Sequence, residues 1–212
     1  MKIEMLNPYV IKILISFRKE DSISSISKRI NLSYGWTNKW VNELVREGIL
    51  KSKWRGYVLN EQNGSYNKII SFIRDSLNEI HFYYSALQLF GIDYCLTKTD
   101  SVYVWTEGGY NIARYKEYYP IFIKVKKSNY PIFLEYCKRL KLKIDSYKGA
   151  FYVVEVLDDF KAVNKNGFFV ESLEETINFM QKNIYNFEPA LEMIKEMYNK
   201  KINVKYKEIN YL

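Results

Sequence analysis

The amino-acid sequence predicts an α+β protein in two parts, and three observations carry that prediction. The first sixty residues hold three short apolar stripes of helical period followed by two brief strand-like runs. The rest of the chain mixes both periods, as expected of a mixed α/β domain with a small sheet packed by helices. Between them Asn60–Ser65 is the clearest polar, glycine-containing break. The expected division is residues 1–60, a linker at 61–67, and residues 68–212 as a second domain that folds without the first.

Asn7 and Pro8 read as an N-cap and a first-turn proline. Val10, Ile11, Leu14 and Phe17 then recur at helical spacing until the charged Arg18–Asp21. Ser22 caps a short second helix with the stripe Ile23, Ile26 and Ile30. Asn31–Ser33 turns, Ser33 caps a third helix from Tyr34 to about Glu47, and Gly48 closes it. Ile49–Lys53 and Tyr57–Asn60 read as two strands joined through Trp54–Gly56. Three helices and a small hairpin in this order is the pattern of a winged helix-turn-helix.

In the third helix Thr37, Val41, Leu44 and Val45 share one face. Gly35, Lys39, Asn42 and Arg46 lie opposite, with Asn38 beside them. That face is short and polar near the helix start, which suits a major groove about 12 Å wide. Asn pairs bidentately with adenine, and Lys reaches guanine or phosphate. Ser33 and the free amides of the first turn suit a backbone phosphate, and Lys51, Lys53 and Arg55 on the hairpin suit phosphates or the flanking minor groove. The candidate DNA-binding residues are therefore Ser33, Tyr34, Gly35, Trp36, Asn38, Lys39, Asn42, Arg46, Lys51, Lys53 and Arg55. Trp36 has two readings: stacking on a sugar or thymine methyl, or packing against the wing.

The stretch Ser33–Leu50 (SYGWTNKWVNELVREGIL) resembles the recognition helix and following Gly-apolar-apolar of MarR-like winged-helix regulators. Beyond it, Tyr84–Gly91 (YSALQLFG) and Val163–Ile177 (VNKNGFFVESLEETI) resemble patches of the antitoxins of AbiE-type (type IV) toxin–antitoxin systems. That resemblance implies a regulator that represses its own promoter through the winged helix. It also implies a nucleotidyltransferase-like toxin as partner, countered by the second domain.

In the remainder, Lys68–Ile80 reads as a helix with Ile69, Phe72, Ile73, Leu77 and Ile80 on one side, and Phe82–Phe90 as another that ends at Gly91. Val102–Thr106 and Asn111–Tyr115 flank Glu107–Tyr110, a hairpin signal. Tyr119–Val125 is a strand, Tyr130–Leu142 a helix, and Phe151–Leu157 a buried strand. Ser172 with Glu175 forms a capping box for a helix to about Asn183, and Phe187–Tyr198 is the last helix.

Composition narrows the function. With 48% hydrophobic and 17% aromatic residues the chain buries a core, which excludes disorder. Residues 1–60 carry eleven Lys/Arg against five Asp/Glu, whereas the other 152 residues carry 21 against 19. Most of the net charge of +8 thus lies in the first quarter, as expected of a part that meets a polyanion. Lysine richness and scarce glutamine lean toward a thermostable protein. No apolar run approaches the roughly 18 residues of a membrane span, and the N-terminus lacks a signal-peptide pattern. Cys95 and Cys137 stand alone in apolar surroundings, which implies buried thiols and a reducing cytoplasm.

An enzyme is not expected. The sole histidine, His81, has apolar neighbours that favour a structural role, and there is no Walker loop or GxGxxG. No two of the 24 acids are separated by one residue, as a metal-holding strand pair would be. Asp158–Asp159 are adjacent, and Glu174–Glu175 sit at a helix start. The expectation is a homodimeric regulator that binds double-stranded DNA, without metal or cofactor. The alternatives are a module that docks protein or RNA and, further off, a nucleotidyltransferase-like enzyme.

Overall fold

The computed structural model describes residues 7–76, 80–202 and 204. The chain divides into two compact units, Met1–Ile92 with Pro131–Leu142, and Asp93–Tyr130 with Lys143–Leu212. Both combine helices with a small sheet, an α+β architecture.

In the first unit, the Asn7 side chain accepts from the Tyr9 N–H and α1 (Pro8–Ser16) follows. Val10, Ile13, Leu14 and Phe17 are buried, while Ile11 is half-buried. The charged run after α1 does more than end a helix. Glu20–Asp21 forms β1, and the buried Asp21 carboxylate accepts from the Arg18 N–H at 2.9 Å and from the Arg29 guanidinium at 2.7 and 2.8 Å. Ser22 caps α2 (Ile23–Arg29), and Ser33 caps α3 (Tyr34–Arg46) through the Trp36 N–H. Gly48, at φ +67°, ends α3 as the sequence predicts. The Gly48 and Ile49 N–H groups donate to the Val45 and Leu44 carbonyls, both at 2.9 Å, which closes a Schellman motif.

β2 (Leu50–Lys53) and β3 (Gly56–Leu59) form an antiparallel hairpin, and β1 pairs with β3 to give the order β1-β3-β2. A β-carbon at Gly56 would lie 2.4 Å from the Asp21 carbonyl oxygen, so the close approach of β1 requires glycine there.

The stretch expected as a linker is instead built into structure. Asn63 donates to the Glu47 carbonyl and accepts from the Tyr66 N–H, both at 3.0 Å, so it ties the end of α3 to the start of α4 (Gly64–Ser76). Ile69 and Ile73 are buried as expected. Phe72 is exposed and Ile70 takes an inward place, while Leu77 lies outside the described residues. After α5 (Ile80–Leu89) comes Gly91 at φ +57°.

A later segment, α7 (Tyr130–Leu140), completes this unit. Tyr136 stacks on Phe90 with ring centroids 4.6 Å apart and donates its hydroxyl to the Ser16 carbonyl at 2.7 Å. Residues 68–92 and 131–142, expected in a domain separate from the first sixty, therefore pack with them.

The second unit is built on a five-stranded sheet of order β6-β5-β4-β8-β7. Its strands are β4 (Tyr94–Leu96), β5 (Tyr118–Lys126), β6 (Gly149–Leu157), β7 (Val163–Lys165) and β8 (Phe168–Val170). Leu96 pairs with both Ile123 and Val170, so these three buried side chains form one row across the sheet. Two expectations differ here. The hairpin read around Glu107–Tyr110 is absent, because residues Thr99–Trp105 form α6, whose buried Val102 and Trp105 have helical rather than alternating spacing. β6 buries only Phe151 and Tyr152, since it is an edge strand whose side away from β5 is met by a single bridge, Ile144 to Tyr152. Ser172 and Glu175 form the predicted capping box of α8 (Leu173–Lys182), and α9 (Ile184–Met197) follows.

Candidate nucleic-acid interface

Helix α3 separates its faces as its sequence pattern implies. Thr37, Val41 and Leu44 are buried and Val45 half-buried, and Trp40 joins them at 6% exposure. Ser33, Tyr34, Gly35, Trp36, Lys39, Asn42 and Arg46 are exposed, and Asn38 is half-buried. A β-carbon at Gly35 would meet nothing within 4 Å, so packing does not require this glycine and the first turn keeps an open approach.

Several of these side chains are held in place. The Asn42 amide donates to Asn38 Oδ1 at 3.3 Å, which sets the two amides side by side. The Lys39 ammonium sits 4.8 Å above the Trp36 ring and 5.1 Å above Trp40, a cation–π arrangement that fixes a flexible chain near the helix start. Trp36 stacks on Tyr9 of α1 at 5.8 Å, which gives it a packing partner on α1. Arg46 is committed to Glu43 at 2.6 Å, which draws its charge back along the helix. The Ser33 hydroxyl is occupied in capping its own helix.

On the hairpin, Lys51, Lys53 and Arg55 are exposed and make no ion pair among the described residues. Lys51 and Lys53 are two residues apart on one strand and so share a sheet face. Trp54 at the tip is 98% exposed.

The aspartates of the second unit lie in separate surroundings. Asp100 is buried, and its carboxylate accepts from Arg114 at 2.8 Å and from the Phe122 N–H at 2.7 Å. Asp93 is exposed, and Asp158 and Asp159 face Lys127 and Lys126. The hydrogen bond and charge of Lys126 hold the Asp159 carboxyl below its usual range. His81 is exposed on α5, unlike the structural reading of its apolar neighbours.

Both thiols are buried, and burial pushes Cys95 up to about 12 and raises Cys137 further. No group of three or more His, Cys, Asp or Glu among the described residues is placed to hold a metal ion. Among those residues no helix is long and apolar enough to cross a membrane.

The sequence reading missed Glu171. This buried carboxylate accepts from the Thr97 hydroxyl, the Lys98 N–H, the Ser101 hydroxyl and the Lys124 ammonium at 2.5–3.2 Å. Its partners lie 47–74 residues away in sequence, so no local spacing announces it. With its oxygens thus satisfied, Glu171 ties β8 to β5 and α6.

No family model, no curated protein and no solved structure matches the chain.

Proposed function

We propose that the N-terminal unit is a winged helix-turn-helix that binds double-stranded DNA sequence-specifically, and that the protein is a transcriptional regulator. The observation that carries this reading is the polar, solvent-facing side of α3, with Lys39 and Asn42 exposed along it. The basic hairpin in the same unit adds three exposed cations to it. Such a face offers Asn38, Lys39 and Asn42 to base edges, and the hairpin offers Lys51, Lys53 and Arg55 to phosphates. One recognition helix spans only a few base pairs, so useful specificity calls for two copies about one helical turn apart, as a homodimer on an inverted repeat.

Binding to duplexes from the region upstream of the protein's own gene tests this directly. A regulator binds one sequence in preference to others, with affinity that falls steeply as salt rises. Binding that is weak, unselective and insensitive to salt would refute it. The narrower proposal is an autorepressing antitoxin of the AbiE type with a nucleotidyltransferase-like partner. It requires co-purification of the two proteins, and repression of the promoter that depends on Asn42.

A second reading rests on the exposed rings of Tyr34, Trp36 and Trp54, since aromatic residues are enriched at protein interfaces. A docking module would bind its partner through these rings and leave duplex DNA alone.

A further inference from the structure

Within the first unit, an open cleft of about 870 Å³ runs from the end of α1 past the β3–α4 loop to α7. Its size falls in the usual range for small-molecule sites, about 300–1,000 Å³. We propose that this cleft binds a small phosphate-bearing anion of nucleotide size, at a site separate from the α3 face and the hairpin tip.

The charge in the cleft is one-sided. Arg18, Lys19, Lys138, Arg139 and Lys141 line it against only two carboxylates, Glu61 and Glu135. None of the five cations has a carboxylate within salt-bridge distance among the described residues.

The two arginines are the strongest part of the case. Each spends a terminal nitrogen on main-chain oxygen: Arg18 on the Gly91 carbonyl at 3.0 Å, Arg139 on the Phe17 carbonyl at 2.5 Å. Those bonds fix the guanidinium planes but neutralise nothing. The Nε atoms of both arginines are buried and have no hydrogen-bond partner. Tyr136 engages both groups, hydrogen-bonding Arg18 and lying with its ring 5.4 Å from the Arg139 guanidinium carbon, but burial keeps its phenol neutral, so what the two oriented guanidinium groups lack is the counter-charge that a phosphate supplies.

The other walls fit a ligand larger than a bare ion. Tyr66 and Ile70 give an apolar side, and Asn60, Gln62 and Asn67 offer amides that donate and accept. Burial raises the Tyr66 phenol, with Arg139 opposing and Glu61 adding to the shift, so these charged groups all act on that ring. A rigid duplex lies across exposed cations and does not enter a cleft to meet half-buried arginines, whereas a small anion does.

The test uses the full chain, titrated at low salt by calorimetry with pyrophosphate, adenosine diphosphate and uncharged adenosine. Pyrophosphate and the diphosphate should bind saturably, and adenosine should not. Tighter binding of the diphosphate identifies a nucleotide, and equal binding identifies the phosphates alone as the recognised group; either supports the site. The exposed pair Lys138→Gln/Lys141→Gln should weaken pyrophosphate binding about tenfold with unchanged circular dichroism. Arg139→Lys, which keeps the charge but not the fork, should also weaken it.

The proposal is overturned if neither anion binds at millimolar concentration, or if the Lys138/Lys141 variant binds as tightly as the parent. It is equally overturned if Lys51→Gln/Lys53→Gln, and not the cleft variant, abolishes binding. None of these outcomes depends on whether the protein binds DNA.

Discussion

Arg29 and Asp21 form a two-pronged ion pair, Nη1–Oδ2 2.7 Å and Nη2–Oδ1 2.8 Å, with side chains only 6% and 3% exposed. The same carboxylate accepts the Arg18 N–H, and Arg29 also donates to the Ser16 carbonyl, so one pair joins the end of α1, β1 and α2. Arg29→Ala leaves Asp21 buried without its cation and should cost about 3–5 kcal/mol in urea unfolding. A loss below about 1 kcal/mol would mean that water replaces the guanidinium.

On the proposed reading, Asn42 meets a base edge. Asn42→Ala should then cost about 1–3 kcal/mol on the preferred duplex and less on random DNA. Equal losses on both, in a binding titration, would reassign Asn42 to bracing Asn38.

Lys53 and Arg55 carry charge without a protein partner among the described residues, so their contribution should be electrostatic. Lys53→Ala and Arg55→Ala should each weaken binding to all sequences and lower the log–log salt slope by roughly one unit. An unchanged slope with reduced affinity would assign the hairpin a shaping role only.

The buried thiols predict a pH effect of definite sign. Cys95 ionises near 12 in the folded chain against 9.0 for an ordinary thiol, because burial penalises the thiolate. Between those values the unfolded chain has lost a proton that the folded chain keeps, so rising pH favours unfolding. Stability should be unaffected by this thiol below pH 9 and fall by up to about 1.4 kcal/mol per pH unit above it. Unfolding curves taken across that range check the slope, and Cys95→Ala should reduce it, leaving the part due to Cys137, whose thiol burial also raises. Iodoacetamide should label neither cysteine before unfolding.

The place of α7 predicts the fate of a truncation. A fragment of residues 68–212 keeps Phe90, Phe133 and Tyr136 but loses Ser16 and Phe17, to which Tyr136 and Arg139 donate. It should expose apolar surface, bind a hydrophobic dye and aggregate. A monomeric fragment with a sharp melting transition would show that α7 finds its place unaided.

What the sequence determined by itself is local. Asn7, Ser22 and Ser33 start helices because a short oxygen-bearing side chain satisfies a free N–H two or three residues ahead. Gly48 ends one because no other residue enters the left-handed region so easily, and Ser172 with Glu175 closes a box across three positions. The exposed face of α3 was legible for the same reason, since a period of 3.6 fixes which side chains share a side.

Tertiary structure decided whatever depends on a partner far along the chain. The alternating pattern of Val102–Thr106 reads as a strand, yet Val102 and Trp105 turn inward together on α6, and the Trp105 indole donates to the Glu171 carbonyl. Asn63 looks like linker until its amide reaches Glu47. Arg18 and Arg139, 121 positions apart in the numbering, come to line one cleft only when α7 packs beside α1. Capping and periodicity act within a few residues and leave a readable spacing, whereas burial and charge pairing act through space and leave none.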